Sequence, residues 1–224
     1  MSAVKTSPAR DDAPFAFSEE SLAEARRILA KYPENRARSA ILPLLDLAQR
    51  QHGWVSQSVV EAVAEITGAA PIRVWEVATF YTMYNKAPIG RHHVEICTNL
   101  PCWLRGSDEI LRAARDVFGV GFGQTSEDGA ATVSSAECLG ACVNAPMVQI
   151  GDDYYEDLDY DSAHALFTAI KEGQPVKAGS QIGRQCSAPE GGPTTLTTDP
   201  GTAEGGRWIA PDSPAAGGSA PGTA

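Results

Sequence analysis

The sequence predicts an α+β protein: an N-terminal four-helix bundle, then a mixed sheet domain with helices packed on it, then a disordered C-terminal tail. Three observations predict it. Apolar residues recur at helical spacing up to Tyr84. After Gly90 the period changes to strand-like alternation. Beyond about Gln174 the pattern vanishes into chain rich in Gly, Pro and Ala. These changes divide the chain into a flexible leader (1–17), a helical bundle (18–88), a sheet domain (89–175) and a low-complexity tail (176–224).

The first helix starts near Ser18 or Ser21, with Ser21-Leu-Ala-Glu24 as a capping box, and Pro33 closes it. Ser39 caps a second helix that runs to His52, tolerates Pro43 in its first turn and stops at Gly53. A third begins at Ser56 or Gln57 and ends at Gly68; a fourth starts with Pro71 and ends before Pro88. Trp75, Phe80, Tyr81 and Tyr84 fall on the fourth helix. Aromatic residues at this spacing are more often core than docking surface, and the core reading is preferred for Phe80.

In the second half, His93–Cys97 reads as a strand, a helix follows Cys102, and Ala131–Ala136 is a second strand. Met147–Ile150 and Tyr154–Glu156 form a hairpin, and a last helix is capped by Asp161 or Ser162. The β-α-β-β-α order matches a thioredoxin-like architecture, in which Pro146 occupies a place where a cis proline is common. Gly119-Val-Gly121-Phe-Gly123 follows a helix rather than a strand, so it reads as a turn and not as a dinucleotide cradle. In the tail, 13 of the 34 residues from 191 to 224 are Gly or Pro, too few apolar groups remaining to offset ordering entropy. Trp208 and Ile209 read there as a stray apolar pair rather than a docking element.

The net charge of −10 and a pI near 4.8 argue against nucleic acid and against an anionic membrane surface as direct partners. No apolar run reaches the length of a membrane span. The N-terminus has no apolar secretory core and carries Asp11 and Asp12, unlike a transit peptide. A reducing, bacterial-type cytoplasm is expected, with membrane association only through partners.

Four of the five cysteines form two close pairs: Cys97 and Cys102 (C-x₄-C), Cys138 and Cys142 (C-x₃-C). Disulfides are disfavoured by the compartment, and a redox dithiol by the absence of C-x-x-C. Unliganded cysteines stay open as the bland reading, beside two liganded ones. Four thiolates can hold a two-iron cluster, or a structural zinc, although zinc sites favour shorter knuckles. Cys97 at a strand end and Cys102 at a helix start favour the cluster, because backbone N–H groups there can stabilise thiolates. Gly140 lets the backbone approach closely.

Residues 152–161 hold six acidic side chains, Asp152, Asp153, Glu156, Asp157, Asp159 and Asp161. They would lower a cluster's potential if they faced it; a solvated hairpin and helix cap is the preferred reading. Cys186 reads as a bystander thiol, and His92 and His93 as surface or packing residues.

The run Cys97-Thr-Asn-Leu-Pro-Cys102, followed by Glu137-Cys-Leu-Gly-Ala-Cys142-Val-Asn-Ala-Pro-Met147, resembles the E-type subunit family of NADH:quinone oxidoreductase, respiratory complex I. Tyr32-Pro33, Leu47-Ala-Gln49 with His52-Gly53, and Val77-Ala-Thr-Phe-Tyr81 are similar to that family's helical segment. The likeness spans roughly residues 18–175. It implies a thioredoxin-like ferredoxin domain with one [2Fe-2S] cluster, ligated by Cys97, Cys102, Cys138 and Cys142, and no catalytic residues. It also implies docking on a flavoprotein subunit that binds NADH and FMN, among the other subunits of the peripheral arm at the cytoplasmic side of the membrane. The isolated chain is then an electron carrier, enzymatic only within its assembly. The alternatives are the equivalent subunit of an NAD-linked hydrogenase or formate dehydrogenase and, from another class, a zinc-stabilised interaction module.

Overall fold

The structure, a computed structural model, describes residues 14–189 and 191. The tail from 192 onward, with Trp208 and Ile209, lies outside the described residues, as do residues 1–13 of the leader. The described part is mixed α/β, with seven α-helices and one six-stranded mixed sheet.

Four helices come first: α1 (Glu19–Leu29), α2 (Ile41–His52), α3 (Gln57–Thr67) and α4 (Pro71–Phe80). Their apolar faces share one core, with Leu44, Leu45, Val59, Val60, Val63 and Val74 fully buried. Ser18, not Ser21, caps α1: its side chain accepts from the Ser21 N–H at 3.1 Å, which places Glu19 and Glu20 in the first turn, where the helix dipole favours carboxylates. Ser39 caps nothing, because a 3-10 turn (Glu34–Ala40) runs directly into α2 and supplies carbonyls that a cap would otherwise replace. Gly53 and Gly68 end α2 and α3 in the left-handed conformation, and Pro71 opens α4.

Two expectations need correction. Phe80 is 78% exposed and pairs edge-on with Tyr81. The helical period marks an apolar face, but here the chain leaves α4 at that point and covers nothing. Conversely, Phe17, assigned by sequence to the flexible leader, is buried against the helical core, and Phe15 packs beside it with ring centroids 5.0 Å apart. Tyr84 lies beyond α4 and is buried, its hydroxyl donating to the Leu42 carbonyl at 2.8 Å. Gln49 holds the adjoining turn from both ends of its amide, donating to Met83 O and accepting from the Asn85 N–H.

The sheet has the order β2-β3-β1-β4-β5-β6, with β1 (His92–Cys97), β2 (Gln124–Thr125), β3 (Ala131–Ala136), β4 (Val148–Ile150), β5 (Asp153–Glu156) and β6 (Gly179–Ser180). β1 and β3 are parallel, which requires a crossover; α5 (Leu100–Leu104) and α6 (Ser107–Phe118) supply it. β1 pairs antiparallel with β4, and β4 with β5. α7 (Tyr160–Lys171) packs beside α6, with Phe118 and Phe167 5.6 Å apart, and both share a core with Val94, Ile96, Val133 and Val148. Asp159 is the N-cap of α7 and Ser162 completes its capping box, so the cap stands ahead of the Asp161 or Ser162 expected. β6 falls where the sequence shows no pattern. It pairs parallel with β5, so chain beyond residue 175 completes the sheet. The Gly119–Gly123 stretch turns the chain out of α6, with Gly119 as its C-cap. No helix among the described residues is long and apolar enough to cross a membrane.

Candidate metal centre

The sheet register decides where the cysteines go. Cys97, the last residue of β1, stands opposite Ala136, the last residue of the parallel β3. Two parallel strands end together, so the segments that leave them start side by side. Thr98 stitches the two exits, its N–H and hydroxyl both donating to Ala136 O at 2.9 and 3.1 Å. The first segment turns into the short helix α5, which carries Cys102 in its first turn, where the sequence places a helix start. The second carries Cys138 and Cys142 and enters a 3-10 turn at Cys142–Asn144. Gly140, between those two cysteines, has φ +88°, a conformation that L side chains rarely adopt.

All five cysteines are free thiols. Cys97 and Cys102 are 2% and 1% exposed and share a small apolar cluster with Ala145 and Met147. Cys138 and Cys142 are exposed, with sulfurs 3.7 Å apart. Burial pushes the Cys102 thiol up to about 12, the adjacent Cys97 thiol adds to the rise, and Cys142 contributes through space. The Cys142 thiol is raised chiefly by its hydrogen bond with Cys138, then by slight local desolvation and by the charges of Cys138 and Cys97. Cys138 and Cys142 are therefore in contact, Cys97 and Cys102 lie in one buried cluster, and Cys142 reaches electrostatically across to both. Thiols crowded in this way resist ionisation, and a bound metal cation relieves that resistance. Backbone N–H groups oppose the rise, that of Met147 at Cys102 and that of Cys142 at its own thiol.

Among the described residues, no three His, Cys, Asp or Glu side chains converge as they would around one ion. Two thiol pairs at one end of the sheet supply the donor chemistry of a two-iron core, in which each iron takes two protein ligands.

A model of the family described as thioredoxin-like [2Fe-2S] ferredoxin matches residues 25–171. The chain belongs to the thioredoxin-like [2Fe-2S] ferredoxin family. That family carries one [2Fe-2S] cluster, and the four-thiol donor set here has the right chemistry for it. Among relatives of this ferredoxin, NADH dehydrogenase [ubiquinone] flavoprotein 2, mitochondrial, of Dictyostelium discoideum is 46% identical over 198 residues, 88% of this chain and 80% of that protein. The E-type subunit of NADH-quinone oxidoreductase from Rickettsia conorii is 53% identical over 158 residues, 70% of this chain and 95% of that one. The fold also matches a chain of an air-oxidised NAD⁺-reducing [NiFe]-hydrogenase with a TM-score of 0.52 and 19% identity, over 64% of this chain. The ferredoxin spans only 25% of that hydrogenase chain, and the likeness is one of fold alone.

The surroundings of the second pair hold residues that sequence reasoning did not single out. Tyr154 Oη donates to Leu139 O at 2.8 Å, and the Asp157 N–H donates to Asn144 O at 2.8 Å. The peptide before Pro146 is cis, as fold analogy anticipates, and Pro146 O accepts from the Leu158 N–H. Tyr154 and Asn144 are visible in the sequence only as members of a strand and a motif; nothing in their spacing announces a contact with the cysteine loop. Leu100, Trp103, Leu104 and Val143, close in sequence to the cysteines, are exposed.

The acidic run divides into separate structural duties. Asp152 is gripped by Arg50, Asp159 caps α7 and Asp161 lies in its first turn. Glu156 accepts from Asn144, and Asp157 pairs with Arg184. His93 is partly buried, with Nε2 2.7 Å from Ser134 Oγ on the neighbouring strand. Cys186 is exposed; its carbonyl, not its sulfur, is engaged, accepting from Asn144 Nδ2 at 2.8 Å.

Proposed function

We propose that this chain is the electron-transferring E-type subunit of an NADH:quinone oxidoreductase, and that Cys97, Cys102, Cys138 and Cys142 ligate its [2Fe-2S] cluster. The observation that carries the reading is the pairing of the four thiols where β1 and β3 end together. Identities of 46–53% to proteins named as subunits of NADH dehydrogenases support the assembly. When bound, such a cluster takes up and releases one electron at a time. The protein's part is to hold the sulfurs and direct backbone N–H groups at them. Backbone N–H groups so directed favour the more negative, reduced state. The buried pair excludes water on one side, and the exposed pair leaves the other side open to an electron partner.

The partner is a flavoprotein subunit that holds FMN and NADH, within a peripheral arm on the cytoplasmic side of a bacterial membrane. The helices of residues 18–88 serve as a four-helix bundle domain and residues 89–175 as the ferredoxin domain. Purification of the native assembly tests this. Co-purifying FMN-containing and quinone-reducing subunits are expected; a hydrogenase or formate dehydrogenase catalytic subunit in their place would overturn the assignment.

A further inference from the structure

The chain does not leave the fold after α7. Residues 179–186 return beside the turn that begins at Cys142. β6 pairs with β5, and the Gln181 N–H extends the pairing to Glu156 O at 2.9 Å. Ser180 Oγ donates to Asp157 Oδ2 at 2.7 Å and accepts from the Arg184 N–H at 3.1 Å. Arg184 then turns inward. Its Nη2 meets Asp157 Oδ1 at 2.7 Å, with the two side chains only 6% and 2% exposed. Its Nη1 donates to Val143 O at 3.1 Å, inside the turn that begins at Cys142. Asn144, in the same turn, donates to Cys186 O. Asp157 itself has φ +55°, a conformation that Asp tolerates better than most residues, and it presents its carboxylate to both Ser180 and Arg184.

The geometry points to Arg184 as a positioning residue for the cluster: a strap of residues 179–186, locked by the Arg184–Asp157 pair, fixes the Cys142–Asn144 turn and with it the Cys142 sulfur. This rests on Cys142 being a ligand. Three features support the strap over a merely packed tail. The ion pair is desolvated, where a guanidinium fork gives a fixed geometry that an ammonium lacks. The second arm of the fork is spent on a ligand-loop carbonyl rather than on solvent. The contacts reach the turn from two directions, at Val143 and at Asn144. Groups that orient metal ligands from outside typically change metal affinity by about tenfold to a hundredfold when removed.

The test uses the full-length, cluster-loaded chain. Arg184→Met alone would strand the buried Asp157 charge, so the informative variant is Arg184→Met with Asp157→Asn, which leaves no unpaired charge inside. Arg184→Lys keeps the charge but loses the fork, and it carries the test if the double variant fails to fold. Iron release to a chelator, the EPR spectrum of the reduced protein and the unfolding midpoint of the cluster-free chain are measured. The double variant is expected to release iron about tenfold faster with altered g values, and the Lys variant to move the same way by less. The cluster-free chains should unfold close to wild type. Wild-type release rates and spectra in both variants would overturn the strap. A wild-type chain that holds no iron would instead refute the ligand assignment, a result readable before any variant is made.

Discussion

Arg50 in α2 holds Asp152 at the tip of the β4–β5 hairpin with two hydrogen bonds, 2.8 and 3.0 Å long, while its Nε bonds Asp46 at 3.0 Å. One guanidinium thus joins the helical half of the chain to the sheet. The same contact neutralises the first charge of the acidic run: Arg50 holds the Asp152 carboxyl below its ordinary range, and the Arg50 pKa is raised in return.

Asp152 and Asp153, at the hairpin tip, should therefore have little hold on the cluster's potential. Asp152→Asn combined with Asp153→Asn is expected to leave the midpoint potential unchanged in a redox titration followed by EPR. A clear upward shift would show that these carboxylates act on the cluster after all. Both groups are exposed, so any effect on stability should be small as well.

Gly90 precedes β1, and a Cβ placed there would sit 2.8 Å from the Ala131 backbone carbonyl carbon at the start of β3. Its N–H donates to Thr132 Oγ1 at 2.7 Å. The obstacle is backbone, not a flexible side chain, so relief requires the β1–β3 entry to move. Gly90→Ala should cost roughly 1–3 kcal/mol, the usual range for forced overpacking, by urea unfolding. An unchanged midpoint would mean that this close approach does not constrain the strands.

His93 gives a pH dependence whose sign follows from its burial. Desolvation lowers its pKa below 6.5, partly opposed by Glu95. The unfolded chain then binds more protons than the folded one between the lowered folded value and about 6.5. Stability from this site is complete above that window and falls as the pH drops through it. His93→Gln can still hydrogen-bond Ser134 without a charge to accept. Urea titrations at mildly acidic and neutral pH should show a smaller difference for the variant; an equal difference would assign the effect elsewhere.

Cys186 tests the division of the five thiols. Its sulfur takes no part in the two pairs, so Cys186→Ser should keep full iron content and an unchanged spectrum. Alanine at Cys97, Cys102, Cys138 or Cys142 should lower iron content sharply. Iron loss in the Cys186 variant comparable to that of the other four would break the assignment.

The parts of this fold that could be read from sequence are those with a local cause. Gly53, Gly68 and Pro71 act within one helical turn, and each stops or starts a helix where its own chemistry says it should. Alternation marked Ala131–Ala136 to the residue, because one face of that strand is buried. The four cysteines were legible through spacing, but their meeting depends on the parallel register of β1 and β3, which spacing does not contain. The failures have a tertiary cause. Phe80 has the period of a core residue and no element to pack against. Phe17 has no period and is buried by contact with the helical core. β2 and β6 are two residues long, too short for any pattern. Arg184 looks like an ordinary polar-tail residue, and only its pairing with a distant Asp157 makes it internal.

The central claim is that four paired thiolates hold a two-iron cluster, and metal analysis tests it most directly. The full-length protein, purified without oxygen, is assayed for iron, acid-labile sulfide and zinc, and its EPR spectrum is recorded after reduction. Two irons and two sulfides per chain, negligible zinc and a rhombic signal on reduction are expected of a [2Fe-2S] ferredoxin. A colourless protein with one zinc per chain would contradict the account.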